Sequence, residues 1–287
     1  MIGTYVCPPG RAGRRLGLAM GAVAVAIALV GPGSTARGGI GRRLDPAQVV
    51  PLDQLPAESR ENVSEVIRDH TFHRQGEPES FPCSSGLYLS LVDEPMLTLA
   101  LWKDLANSPV QLRRISADRF QGEDGAGTTA TWDFLLRTPK LHVMLAYLNY
   151  SGPKSNARID ARVLLIVRTG YYKEVNKQPY IQHNVEVFVK VDTKGWKTLA
   201  RTLRPVVERI LADQVDEAGQ FISLMSRLVV TYPNWAIDVA SAQPSLDEST
   251  RGRFREIVAQ DRRPNASPGR PVVMANAGNA GAETRRR

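Results

Sequence analysis

Hydrophobic and polar positions change period twice along this chain, and the changes mark out its elements. Residues 56–70, PAESRENVSEVIRDH, set Val63, Val66 and Ile67 at helical spacing behind an early proline and early acids, which predicts a helix. TFHRQGE follows as a short strand. In SSGLYLSLVDEPMLTLALWKDLANSP the first half fits both periods, because Leu87, Leu89 and Leu91 alternate while Leu87 and Leu91 also share a helical face. The serines ahead favour a helix from Gly86 capped by Ser84 or Ser85. Asp93-Glu94-Pro95 then opens a second helix, which carries Leu97, Leu101 and Leu105 and stops at Asn107-Ser108-Pro109.

Beyond that stop the period falls to two. RRISADRFQ reads as one strand. TTATWDFLLR aligns Trp132, Phe134 and Leu136, and LHVMLAYLNY aligns Leu141, Val143, Leu145 and Tyr147, with a short turn at Thr138-Pro139. ARIDARVLLIVRTG aligns Ile159, Ala161, Val163, Leu165 and Val167. PYIQHNVEVFVKV sets Ile181, His183, Val185, Val187, Val189 and Val191 against a mixed face. Short turns join most of these strands, so the sheet is expected to be antiparallel.

After a cap at Asp192 or Thr193 the helical period returns. Leu199, Leu203, Val206, Ile210, Val215, Ala218, Ile222, Met225 and Val229 form one wide apolar stripe. A helix of roughly 35 residues is ~50 Å long, with kinks expected at Pro205 and Gly219. A helix so broad on its apolar side needs a large apolar partner, which the Ile181 to Val191 face supplies. Beyond Pro233 only LDESTRGRFREIVAQ reads as helical, and from Arg262 the composition is that of a disordered tail.

This order is α+β: short helices, a curved antiparallel sheet, and one long C-terminal helix gripped by it. Over roughly residues 70–232 it resembles the START-like, or Bet v 1-like, helix-grip superfamily. The resemblance lies in the order of elements and in no fingerprint motif. Six strands are legible where that family has seven. Membership would imply a cavity for a lipid, sterol or other hydrophobic molecule between sheet and long helix, and no particular reaction.

The ends of the chain alter the picture of where it works. Arg11, Arg14 and Arg15 precede an uncharged apolar run, Leu16 to Val30, broken by Gly31-Pro32-Gly33 and followed by small residues at Ser34-Thr35-Ala36. This pattern predicts an export signal over residues 1–36 cleaved near Ala36, with an uncleaved anchor as the rival reading. Residues 37–55 read as a Gly-, Pro- and Arg-rich spacer, 56–240 as the folded domain and 241–287 as a mostly disordered basic tail. The expected setting is therefore the periplasm, the cell envelope or the exterior.

Net charge is +8 with a pI near 9.7, which at first suggests nucleic acid. The ends carry the excess, however, leaving 25 of the 37 basic and 26 of the 29 acidic side chains between residues 37 and 250. A neutral core speaks against phosphate neutralisation, so no nucleic-acid partner is expected, and the tail is assigned to solubility or contact with a membrane surface. Cys7 precedes the apolar run, which leaves Cys83 as the lone cysteine of the exported form, expected as a buried thiol.

His183 is the prominent polar residue, because it interrupts a face of Val and Ile. Two readings are open: it hydrogen-bonds a ligand head group, or it is a core histidine satisfied by backbone or by a neighbour such as Tyr147. The candidate ligand contacts are His183, Trp132, Phe134, Tyr147, Val185, Val187 and Met225, and the aromatic ones fit ordinary packing equally well. Arg158, Asp160, Arg162 and Arg168 alternate with the apolar face and are read as solvated, and Glu208, Asp213, Asp216 and Glu217 as surface partners of Arg204 and Arg209. His70 and His73 have no Cys or carboxylate at spacing that completes a metal site. The sequence holds no G-x-S-x-G elbow, H-E-x-x-H or phosphate loop. A non-catalytic carrier of a hydrophobic small molecule, needing no cofactor, is the leading expectation. A solid-cored envelope or interaction module is second, and an enzyme built around His183 third.

Overall fold

The computed structural model describes residues 44–106, 108–125, 127–151, 158–193 and 220–261, with Gly269 and Pro271. The predicted export signal, residues 196–219 of the predicted long helix and most of the predicted tail lie outside the described residues.

Two short helical turns come first, α1 (Pro46–Val49), capped by the Asp45 side chain, and a 3-10 turn (Leu52–Gln54). They correct the spacer reading of residues 44–55. Val50 and Leu55 are each 2% exposed, and Arg60 bonds the carbonyls of Asp53 and Leu55. Helix α2 (Ala57–Arg68) follows and buries Val63, Val66 and Ile67, the stripe read from the sequence. After strands β1 (Phe72–Gln75) and β2 (Glu79–Pro82) come α3 (Ser85–Asp93) and α4 (Pro95–Leu105). Ser84 caps α3 by accepting from Leu87 N at 3.1 Å, which resolves the ambiguous stretch as helix.

The meander is β3 (Gln111–Arg114), β4 (Arg119–Glu123), β5 (Thr128–Thr138), β6 (Leu141–Ser151), β7 (Arg158–Lys173) and β8 (Pro179–Val191). Every pair is antiparallel, with sheet order β1-β8-β7-β6-β5-β4-β3 and β2 also on β8. The sheet is open and curved. β1 and β2 pair with β8 in registers one residue apart, Gln75 opposite Glu186 and Glu79 opposite His183, so they act as one edge strand broken at residues 76–78. Two of the eight strands were not read from the sequence: β2, and one within RRISADRFQ, where residues 115–118 turn and split one expected strand into the β3–β4 hairpin. Ser116 and Asp118 are the turn chemistry in that stretch.

Helix α5 (residues 220–231) is the described end of the predicted long helix. Pro233 does not end helical structure, as the sequence suggested. It sits in the first turn of α6 (Pro233–Ala242), where a missing N–H costs nothing. Helix α7 (Glu248–Asp261) buries Thr250, Phe254 and Val258, so the folded unit runs past residue 240.

Helices cover both faces of the sheet. On the outer face, α2 and the residues before it pack on Leu135, Val143, Leu145, Leu164, Ile166 and Phe188. On the inner face, α3 to α7 pack on the opposite side chains of the same strands. Double coverage explains why VLLIV, residues 163–167, is apolar at consecutive positions. A bulge at Phe134/Leu136 lets β5 send Phe134 inward and both Leu135 and Leu136 outward. Arg162, read as solvated, is only 13% exposed, because α2 lies across it and supplies Glu65 at 2.6 Å, with Asp192 at 2.8 Å. Arg168 pairs Glu186 at 2.6 Å.

Candidate functional site

Strand register arranges the inner face in rows. Trp132, Ala146, Val163 and Val189 lie opposite one another in turn across β5 to β8, and the next row is Phe134, Met144, Leu165 and Val187. These rows are wholly apolar. One step along, His142, Val167 and Val185 align, and beyond them Thr169, His183 and Glu79 form the last of these rows. The face is therefore apolar over one half and carries polar side chains at one end. β-strand alternation fixes this, since each row is two residues from the next.

Helix α3 runs over the polar end and bonds to it. Tyr88 Oη lies 3.0 Å from Thr169 Oγ1 and 3.2 Å from His183 Nδ1. Asp93 Oδ1 lies 2.9 Å from His142 Nε2. His183 Nε2 faces Glu79 Oε2 at 3.6 Å, too long for a good hydrogen bond. Ser223 of α5 donates to the other oxygen of Glu79, and Arg227 stands 3.8 Å from it. The rings of Phe81 and Tyr88 flank His183 at 5.2 and 5.7 Å. His183 is 2% exposed, Tyr88 fully buried and Ser223 3% exposed.

Burial pushes the Tyr88 hydroxyl far above its ordinary pKa, so it stays protonated. Burial alone would raise Glu79, but contacts with His183 and Ser223, aided by the nearby Arg227 charge, bring it below the usual carboxylate value. Two lone pairs would repel if His183 Nε2 were bare beside that carboxylate. In the neutral ring the proton therefore belongs on Nε2, and with that tautomer Tyr88 donates to Nδ1 and Thr169 donates to Tyr88. Among the described residues, His183 Nε2 and Glu79 Oε2 are both buried without a hydrogen-bond partner. Leaving such groups unmet costs about 1–3 kcal/mol each.

The structure places the sequence-derived candidates unevenly. His183, Val185 and Val187 share the inner face of β8, and Met225 of α5 is fully buried in the same core. Trp132 and Phe134 are on that face but three strands away, about 14 Å at ~4.8 Å per strand, where they pack on Phe120. Tyr147 is a correction. It points to the outer face, is 42% exposed and bonds Asn62 of α2 at 3.3 Å, so it neither lines the inner face nor satisfies His183. Its strand is apolar in both registers, and alternation alone did not say which faced inward. Tyr88, Thr169, Glu79 and Ser223 were missed, although Thr169 and Tyr171 continue the inward series of β7 and were legible there.

His73 bonds Glu186 at 2.8 Å and stacks on Phe188, on the outer face. Among the described residues no group of three or more His, Cys, Asp or Glu could hold a metal, and no helix is long and apolar enough to cross a membrane. Cys83 is a buried thiol, 3% exposed. A separate open groove of about 620 Å³ lies between α4 and α6, where Trp235 donates to Asp104 at 2.7 Å. None of the candidate contacts lines it.

No family model matches the sequence, and no curated protein is similar to it. Several solved structures are. A START superfamily protein from Mycobacterium smegmatis is similar over 54% of this chain and 97% of its own, at 8% identity and a TM-score of 0.30. Ara h 8.0201 is similar over 53% and 98%, at 13% identity and 0.28. A hypothetical protein from Helicobacter pylori is similar over 68% and 100%, at 11% identity and 0.36.

Proposed function

We propose that the protein is a non-catalytic carrier that holds an amphiphilic hydrophobic molecule between the inner sheet face and the C-terminal helix, with its polar end at His183. The observation that carries this reading is the division of the inner face. Two rows of apolar side chains lead, past the row of His142, Val167 and Val185, to a row holding the buried Thr169 and His183 and the partly exposed Glu79. A lipid-like molecule has that division of polarity, and a few placed polar groups in an apolar lining are what fix the orientation of such ligands. The pattern of residues 11–36 adds an exported setting, and the basic residues near the C-terminus add contact with acidic membrane head groups.

Native mass spectrometry of the exported protein, followed by organic extraction, tests the reading. A stoichiometric lipid-like passenger is expected. Repeated empty preparations that also take up no apolar dye would remove the carrier function and leave an interaction module with a solid core.

A further inference from the structure

The chemical class of the ligand's polar end follows from two buried atoms that face each other without hydrogen-bond partners, His183 Nε2 and Glu79 Oε2, if the carrier reading above holds. We propose that the ligand is a neutral alcohol, whose oxygen accepts from His183 Nε2–H and whose O–H donates to Glu79 Oε2. Several observations narrow the choice to this group. The two protein atoms stand 3.6 Å apart. That separation is too wide for a good mutual hydrogen bond, but one oxygen can sit about 2.8 Å from both. A hydroxyl is the simplest group that donates once and accepts at the same atom.

Charged head groups fit worse. A ligand carboxylate would face the Glu79 carboxylate in a buried setting, where like charges repel strongly. An ammonium would satisfy Glu79 but offers nothing to His183 Nε2–H. Arg227, 3.8 Å from Glu79 and 55% exposed, adds a positive charge against it. Ser223 already occupies Oε1 of Glu79, so Oε2 is the oxygen with capacity to spare. Tyr88 holds the imidazole by Nδ1 and so aims Nε2 at that oxygen. Both atoms are buried, beside the ring of Phe81 and Ser223 of α5.

The test uses the full chain after export, loaded with an apolar fluorescent dye and titrated with dodecanol, dodecanoate and dodecylammonium below the concentrations at which they aggregate. Dodecanol is expected to displace the dye with a Kd at least about tenfold below either charged homologue. Dye displacement in which dodecanoate or dodecylammonium equals or beats dodecanol overturns the alcohol assignment and leaves the carrier reading intact. Failure to take up the dye or any of the three overturns both. In Glu79→Gln the discrimination against dodecanoate is expected to shrink to within about threefold, because the repelling charge is gone. Full discrimination in that variant would place the head group elsewhere.

Discussion

Tyr88 joins α3 to two strands through one hydroxyl, which meets Thr169 of β7 and His183 of β8 inside the core. Tyr88→Phe keeps the ring and removes the oxygen, so His183 Nδ1 is left buried without a donor. The expected loss is about 1–3 kcal/mol of unfolding free energy, read by chemical denaturation. Tyr172→Phe, at a 43% exposed tyrosine, serves as the neutral comparison, and equal midpoints for the two variants would contradict the buried network. On the outer face Glu65 binds Arg162 and Lys190, and these contacts hold its carboxyl down from 4.5 to about 2. A lowered carboxylate pKa gives stability that is complete above the ordinary value of 4.5 and fades as pH falls towards about 2. Glu65→Gln should therefore melt below the wild type at neutral pH, with the gap closing across that acid range. A gap that is constant with pH would mean that the charge of Glu65 contributes nothing. At this scale the sequence was half legible. His183 stood out because it broke an alternation, but its partner Tyr88 arrives from a helix whose placement no local pattern reveals. Glu79 lies in a four-residue strand ending at a proline, too short for any period.

At the scale of elements, the meander was legible because each long strand repeats its own alternation, and the turns between them are short. The inward side was not legible where both faces are covered, as in β6, whose two registers are both apolar. The β3–β4 hairpin was read as one strand, since four- and five-residue strands hold too few alternations to show a break. Helix α7 tests a different part of the reading. Its stripe is weak, and only its described contacts show that Phe254, 2% exposed, reaches the inner core alongside Val258. Phe254→Ala should cost about 3–5 kcal/mol, the usual range for emptying a buried aromatic site. An unchanged thermal midpoint would return α7 to the tail, where composition alone had put it.

The whole molecule is a sheet clamped from two sides, and its limits depend on what each side requires. The inner layer extends to α7, while the outer layer begins before α2. Val50 and Leu55 close the edge of the outer core, Arg60 reaches back to the carbonyls of Asp53 and Leu55, and Arg168 of β7 bonds the carbonyl of Val49. Residues 44–55 thus connect to both α2 and the sheet, although Gly, Pro and Arg in the preceding stretch gave them the composition of a linker. Burial of an apolar side chain is worth about 1.5–3 kcal/mol, and two are lost together if this segment is removed. A chain starting at residue 56 should therefore unfold several kcal/mol earlier in denaturant than one starting at residue 44, with Arg60 and Arg168 left without those carbonyl partners. Coincident unfolding curves for the two chains would show that the segment rests on the domain without stabilising it, and the boundary would move back to the start of α2.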